Sequence, residues 1–435
     1  MGELDGSESV SFVSPTKRSS RRHDIDWLRV ILFGLLIWFH YAVFSLGQLR
    51  GDQSMELFNL PLFFVISTMH QWRLAALFII SGMGTAFAFK SRDWRSYLTE
   101  RIFRLGVPLM FFIYILSAGI TDPIETTRLL FTPFPGIDEM PYGHLWFVFN
   151  LLIYSVALTP LFNHVRKNPE MGVVRFTRWL FQVRFGMGIL LIPPLILSLN
   201  GILFKPWAFG EVGMNWEFSR YFLYFMFGFL MISAKEEYFA VLDSVRLPIT
   251  IITPILSIVW FFSQEKFGVP SVMEGGWVVQ GFDAFSTGAS LASILQSFHA
   301  WFWCLLIFSW ASKLLNRPSR WLPYLNESVY PAYIIHMTPT ILMIIFLSVL
   351  GVNYYLGLIL GTVVVTVSVL VIFEFVRRAS LFRFLFGIKG GSEEVSKVWP
   401  FDLTRDRGTR VALSVFFNSL VVGFIVVIFG LSAIS

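Results

Sequence analysis

An arginine and a histidine eleven residues apart, Arg29 and His40, lie inside an apolar run that begins at Trp27. Eleven helical steps of about 100° bring the second side chain to within about 20° of the first, so both share one face, about 16 Å apart along the axis. An imidazole in a dry, helix-lined cavity can stay neutral near pH 7 and serve as general base or as nucleophile. The plainer alternative is a buried histidine bonded to a neighbouring carbonyl.

Charge inside a membrane is costly, so other ionisable side chains in apolar runs join the inventory. Arg73 follows Trp72 in the second run, and either snorkels to the outer interface or faces a polar interior. Arg101 and Arg104 share a helical face at the inner start of the third run. That placement suits anionic phosphates, and equally an ordinary positive-inside flank. His144 opens the fourth run, with Trp146 of a type common at membrane interfaces. Asn326, Glu327, Ser328, Tyr330 and His336 crowd the start of the ninth run, where Asn326 or Ser328 would also serve as a helix cap. The nine-residue step from Glu327 to His336 puts these two on opposite faces, so one needs a separate partner. Glu374 is expected to pair with Arg377 or Arg378.

The elements that must position these groups are membrane helices. Of 435 residues, 55% are hydrophobic and 14% charged, against about 25% charged in a soluble protein. Runs of about 17 to 25 apolar residues, the length that spans a bilayer, start near residues 27, 58, 104, 144, 185, 218, 248, 289, 328, 355 and 411. The expectation is an all-α, polytopic helix bundle of about eleven transmembrane helices. The second run, Phe58 to Phe89, exceeds one straight span and carries Pro61 and Arg73, which predicts a break near His70.

Alternate connections hold 27 of the 34 Lys and Arg, the other set holds four (Arg50, Arg128, Lys205, Lys266), and Arg29, Arg73 and Arg220 fall within runs. The positive-inside rule therefore predicts a cytoplasmic N-terminus and, from the odd count, an outer C-terminus. Residues 1–24 read as a polar cytoplasmic tail without the apolar core of a signal peptide. The membrane domain is expected over 25–390, a cytoplasmic linker over 391–410 and an additional helix over 411–435. The outer connections Thr121 to Gly143 and Ser263 to Gly288 read as ordered caps.

The lone Cys304 excludes an intrachain disulfide and a cysteine-built metal site. No phosphate-binding glycine loop, His-Glu-x-x-His or Gly-x-Ser-x-Gly motif occurs, which argues against nucleotide hydrolysis, and no metal ligand set is assigned. The net charge of +6 lies in membrane flanks, so nucleic acid is not an expected partner.

Five motifs in order carry a resemblance. They are Arg29 with His40; Trp72-Arg73-Leu74 before Ile80-Ser81-Gly82; Arg101-x-x-Arg104 before Pro108; His144-Leu145-Trp146-Phe147; and Asn326-Glu327-Ser328-Val329-Tyr330-Pro331 with His336. Together, over about residues 22 to 390, they resemble the acyltransferase-3 family, in particular its glucan-modifying branch. The resemblance implies an integral-membrane O-acyltransferase, in the plasma membrane, that moves an acetyl- or succinyl-type group from acyl-coenzyme A to a carbohydrate hydroxyl across the bilayer. It implies His40 and Arg29 as the catalytic pair and Arg101 and Arg104 as donor-binding residues. Arg73, His144, Trp146, Asn326, Glu327, Tyr330 and His336 are assigned to the acceptor side or pocket. No permanently bound cofactor is expected, with acyl-coenzyme A as a substrate. Two departures stand out: an eleventh run beyond the family's usual ten, and Met337 where relatives often carry a polar side chain. A transporter or flippase is the competing class.

Overall fold

The structure, a computed structural model, describes residues 22–46, 60–116, 143–204, 215–263, 286–388 and 415. The polar tail before Arg22, the outer caps, the 391–410 linker and all of the C-terminal run except Val415 lie outside the described residues. Among the described residues every regular element is a helix, as a chain that must bond its own backbone in hydrocarbon requires. Among the described residues seven helices are long and apolar enough to cross a membrane, or eight if a bent pair counts as one span.

The first helix, α1 (His23–Phe44), is followed by α2 (Leu60–Ser91), α3 (Trp94–Arg101) and α4 (Val107–Phe111). After a short turn, Gly143–Leu145, come α5 (Trp146–Lys167), α6 (Gly172–Gln182), α7 (Met187–Phe204), α8 (Asn215–Ser233) and α9 (Lys235–Ser263). The last part holds α10 (Thr287–Leu314), α11 (Leu322–Ile335), α12 (Met337–Val349), α13 (Tyr354–Val376) and α14 (Ser380–Leu385). Two expected runs, the third and the sixth, take other forms. The third is α3 and α4 with wide π turns at Ile102–Gly106 and Phe112–Leu116. The sixth is a shorter apolar helix, and the eleventh lies outside the described residues. Pro108, with no N–H and a ring that crowds the Arg104 carbonyl four residues back, accounts for a widened turn there.

The break expected near His70 does not occur. Helix α2 runs unbroken for 32 residues, about 48 Å, and so outreaches a hydrocarbon layer of about 30 Å. Pro61 sits in its first turn, where no intrahelical N–H bond is lost. The break comes instead at His336, where α11 and α12 meet at a 62° bend. Pro339 explains it: its nitrogen cannot bond the Ile335 carbonyl and its ring pushes that carbonyl aside. The bend turns the Tyr333 and Ile334 carbonyls toward imidazoles, as described below.

Helix α2 is the buried centre of the bundle, and it meets α8 through glycines. A Cβ at Gly82 would sit 2.0 Å from the Phe225 carbonyl oxygen, and one at Gly228 would sit 2.0 Å from that of Ile79. Such backbone approach is how helices gain contact where lipid removes the hydrophobic drive. Helix α1 is seated against α13 in the same way, with the Tyr41 ring filling the space a Cβ of Gly361 would need. Gly228→Ala is therefore expected to lower the unfolding temperature in detergent, at a cost of about 1–3 kcal/mol or more. Gly34→Ala, whose Cβ meets nothing within 4 Å, is expected to leave it unchanged or slightly raised, and equal effects would contradict the packing described.

Candidate active site

One face of α1 lies along α11, and the two helices run in the same direction. Three contacts mark the seam: Arg29 with Asn326, Phe33 with Tyr333, and His40 with His336. The shared face of Arg29 and His40 thus faces a single partner helix, but the two residues serve different places.

Arg29 belongs to a cavity of about 440 Å³ between α1, α2, α3, α5 and α11. Its Nη1 donates to Asp26 Oδ1 at 3.3 Å and to Asn326 Oδ1 at 3.4 Å. Arg101 and Arg104 line the same cavity, with Tyr330. Arg101 donates to Thr85 Oγ1 at 3.4 Å, while Arg104 donates to the Gly387 carbonyl at 3.2 Å and to Glu100 Oε1 at 3.3 Å. Arg92 is also paired with Glu100. Four guanidinium groups against Glu100 and Asp26 leave the cavity positive, and the Tyr330 hydroxyl, buried in its wall, has no hydrogen-bond partner among the described residues. Gly84 lies in the wall beside Arg29, where a Cβ would make ordinary contact with the guanidinium at 3.5 Å. A positive, roomy cavity with planar bidentate donors is what a polyphosphate group needs.

The cavity's inner end is closed by aromatic rings. Phe33, Phe147 and Tyr333 form a layer with centroids 5.5 to 6.4 Å apart, and Phe33 lies about 10 Å below His40 along α1. Beyond the layer is a node of histidines. His40 Nδ1 lies 2.7 Å from His336 Nε2, with the ring planes within 11° of each other. His336 Nδ1 donates to the Tyr333 carbonyl at 2.8 Å, and His144 Nε2 donates to that of Ile334 at 3.2 Å. The Tyr333 hydroxyl donates to the His144 carbonyl. His336 is fully buried, whereas part of the His40 surface is accessible. A narrower apolar cavity, about 190 Å³ between α1, α11 and α13, has His336 in its wall.

Arg73 does not snorkel. It is 2% exposed, its guanidinium lies 3.6 Å over the Phe39 ring next to His40, and its Nε and one Nη find no hydrogen-bond partner among the described residues. Cation–π contact compensates part of that burial, and two unsatisfied donors remain for an anion.

Two expected pocket residues lie elsewhere. Trp146 packs on Phe78 and Tyr221, and lines neither cavity. Glu327 pairs with Arg383 at 3.1 Å and Arg377 at 3.6 Å, beside Glu374, which pairs with Arg377 and Arg378 as expected. The opposite-face argument for Glu327 and His336 thus resolves into an ion-pair lattice on one side and an imidazole node on the other. Sequence reading missed Phe33, an ordinary apolar residue on paper, quoted Phe147 only as part of a motif, and missed the role of the Tyr333 carbonyl, which only the bend exposes. It also passed over His299, a buried imidazole stacked on Trp260 at 4.6 Å and bonded to Ser257 Oγ at 3.1 Å. The Ser257 hydrogen is committed to the Thr253 carbonyl, so this pair is built as a helix tie and not as a nucleophile. No group of three His, Cys, Asp or Glu side chains among the described residues is arranged to hold a metal ion.

Comparison with known proteins accords with this geometry. Residues 22–374 match the acyltransferase-3 family, described as an acyltransferase domain, and the chain belongs to that family. It is a multi-pass membrane acyltransferase. Similar curated proteins are glucans biosynthesis protein C of Escherichia coli O81 (strain ED1a), 20% identical, and of Escherichia coli O139:H28 (strain E24377A / ETEC), 21% identical. Each match spans 387 residues, 85% of this chain and 95% of the relative. No solved structure matches the chain.

Glu327→Gln separates structure from chemistry. Removing the carboxylate from two partly buried arginines is expected to cost about 2–3 kcal/mol, read as lower folded yield and unfolding temperature, with native turnover per folded molecule. Loss of turnover at unchanged stability would return Glu327 to the pocket.

Proposed function

We propose that the protein transfers an acyl group, of acetyl or succinyl type, from cytoplasmic acyl-coenzyme A to a hydroxyl of an extracytoplasmic carbohydrate or related acceptor. The observation that carries this reading is a positive cavity ending one aromatic layer below a histidine pair, with both built on the same α1–α11 seam. Arg29, Arg101 and Arg104 hold the donor's phosphates, and the thioester arm passes between Phe33, Phe147 and Tyr333 toward His40. The charge bias of the connections supports the cavity end as cytoplasmic. The printed name of the relatives supports a glucan-like acceptor.

In the transfer step His40 Nε2 takes the proton of the acceptor hydroxyl, and the oxygen attacks the thioester carbonyl. The tetrahedral oxygen gains negative charge, which the free donors of Arg73 stabilise. The carbon–sulfur bond then breaks, and the proton returns from His40 to the thiolate, leaving ester and free coenzyme A.

Incubating the purified protein with labelled acyl-coenzyme A and a glycan is expected to release free coenzyme A, which a transporter or flippase would not do. His40→Ala should lower turnover by about 10² to 10⁴, and undiminished release from a folded variant would remove this role. Arg101→Ala with Arg104→Ala should raise the KM for the donor while kcat changes little. An unchanged donor KM would take the phosphates out of that cavity.

A further inference from the structure

We propose that His336 is a positioning residue that sets the tautomer of His40 and holds the imidazolium formed on proton transfer. This rests on the general-base reading of His40. The Tyr333 carbonyl offers only lone pairs, so its 2.8 Å contact is donated by His336 Nδ1–H. A neutral imidazole carries one N–H, which leaves His336 Nε2 as an acceptor. The 2.7 Å contact to His40 Nδ1 must then be donated by His40. With its own single proton fixed on Nδ1, His40 keeps its lone pair on Nε2, the atom that meets the acceptor hydroxyl. A histidine's reactive nitrogen is chosen by what its other nitrogen bonds, and here that choice passes through two rings from one backbone carbonyl.

The fold supplies the carbonyl on purpose-built geometry. The 62° bend at His336, imposed by Pro339, points the Tyr333 carbonyl at an imidazole three residues on. His336 is fully buried and both its ring nitrogens are engaged, while His40 retains accessible surface. During transfer the acceptor's proton moves onto His40 Nε2 and then to the departing sulfur. His336 neither gains nor loses a proton, and its Nε2 lone pair bonds the His40 Nδ1–H throughout. The role parallels that of the carboxylate behind the base of a serine-hydrolase triad, where the wrong tautomer costs about 10⁴ in kcat, but with a neutral acceptor.

The test compares His336→Phe, which keeps an aromatic ring without an acceptor, with His336→Gln, whose amide oxygen falls near the former Nε2. The Phe variant is expected to lose about 10²-fold to 10⁴-fold in kcat at unchanged donor KM, and the Gln variant to stay within about tenfold of the native kcat. His336→Met, unbranched and without a strong acceptor, replaces the Phe variant should that chain not fold. Equal kcat for the Gln and the apolar variants, at equal folded yield and donor KM, overturns the relay whether both are active or both inactive. Full turnover by His40→Ala would instead overturn the base itself, a separate outcome.

Discussion

The contact between His40 and His336 is the constraint on which the rest of the architecture depends. Two imidazoles held 2.7 Å apart inside a bilayer need internal hydrogen bonds to fix their orientation and to satisfy the backbone around them. The chain meets that demand by breaking a span: the bend at His336 spends helix carbonyls on side chains, giving those of Tyr333 and Ile334 to His336 and His144. In water such a break would expose backbone at little cost. In hydrocarbon it is tolerated because the freed groups find internal partners.

The same economy shapes the arginine end of the bundle. Glu327, Glu374, Arg377, Arg378 and Arg383 neutralise one another in an ion-pair lattice. Charges that line the cavity are left with few carboxylates, so the cavity stays positive. The Phe33, Phe147 and Tyr333 layer lies between the cavity and the histidine node. Close glycine crossings between α2 and α8 hold the scaffold at the spacing these features need.

What could be read from the chain was what local periodicity encodes. The alignment of Arg29 and His40, the pairing of Glu374 with its neighbours one turn on, and the clustering of Arg101 with Arg104 all follow from helical spacing. Long-range partners do not follow from it. The pairing of Glu327 with Arg383, 56 positions away, and the packing of Trp146 on Phe78 and Tyr221 are tertiary contacts that leave no trace in helical spacing. Length, Pro61 and Arg73 point to a break near His70, yet a proline in a first turn removes no helix bond, whereas Pro339 sits where it does. Hydropathy records composition and is blind to whether an apolar run winds as one straight helix, as the π turns between Ile102 and Leu116 show.

The central claim is that donor and acceptor meet across the bundle at His40, one from each end. Its most direct measurement uses the protein reconstituted in sealed vesicles with labelled acyl-coenzyme A trapped inside and a membrane-impermeant glycan outside. The account predicts labelled ester on the outer glycan and free coenzyme A retained in the lumen. Label that appears on the glycan only when both substrates share a compartment would contradict it.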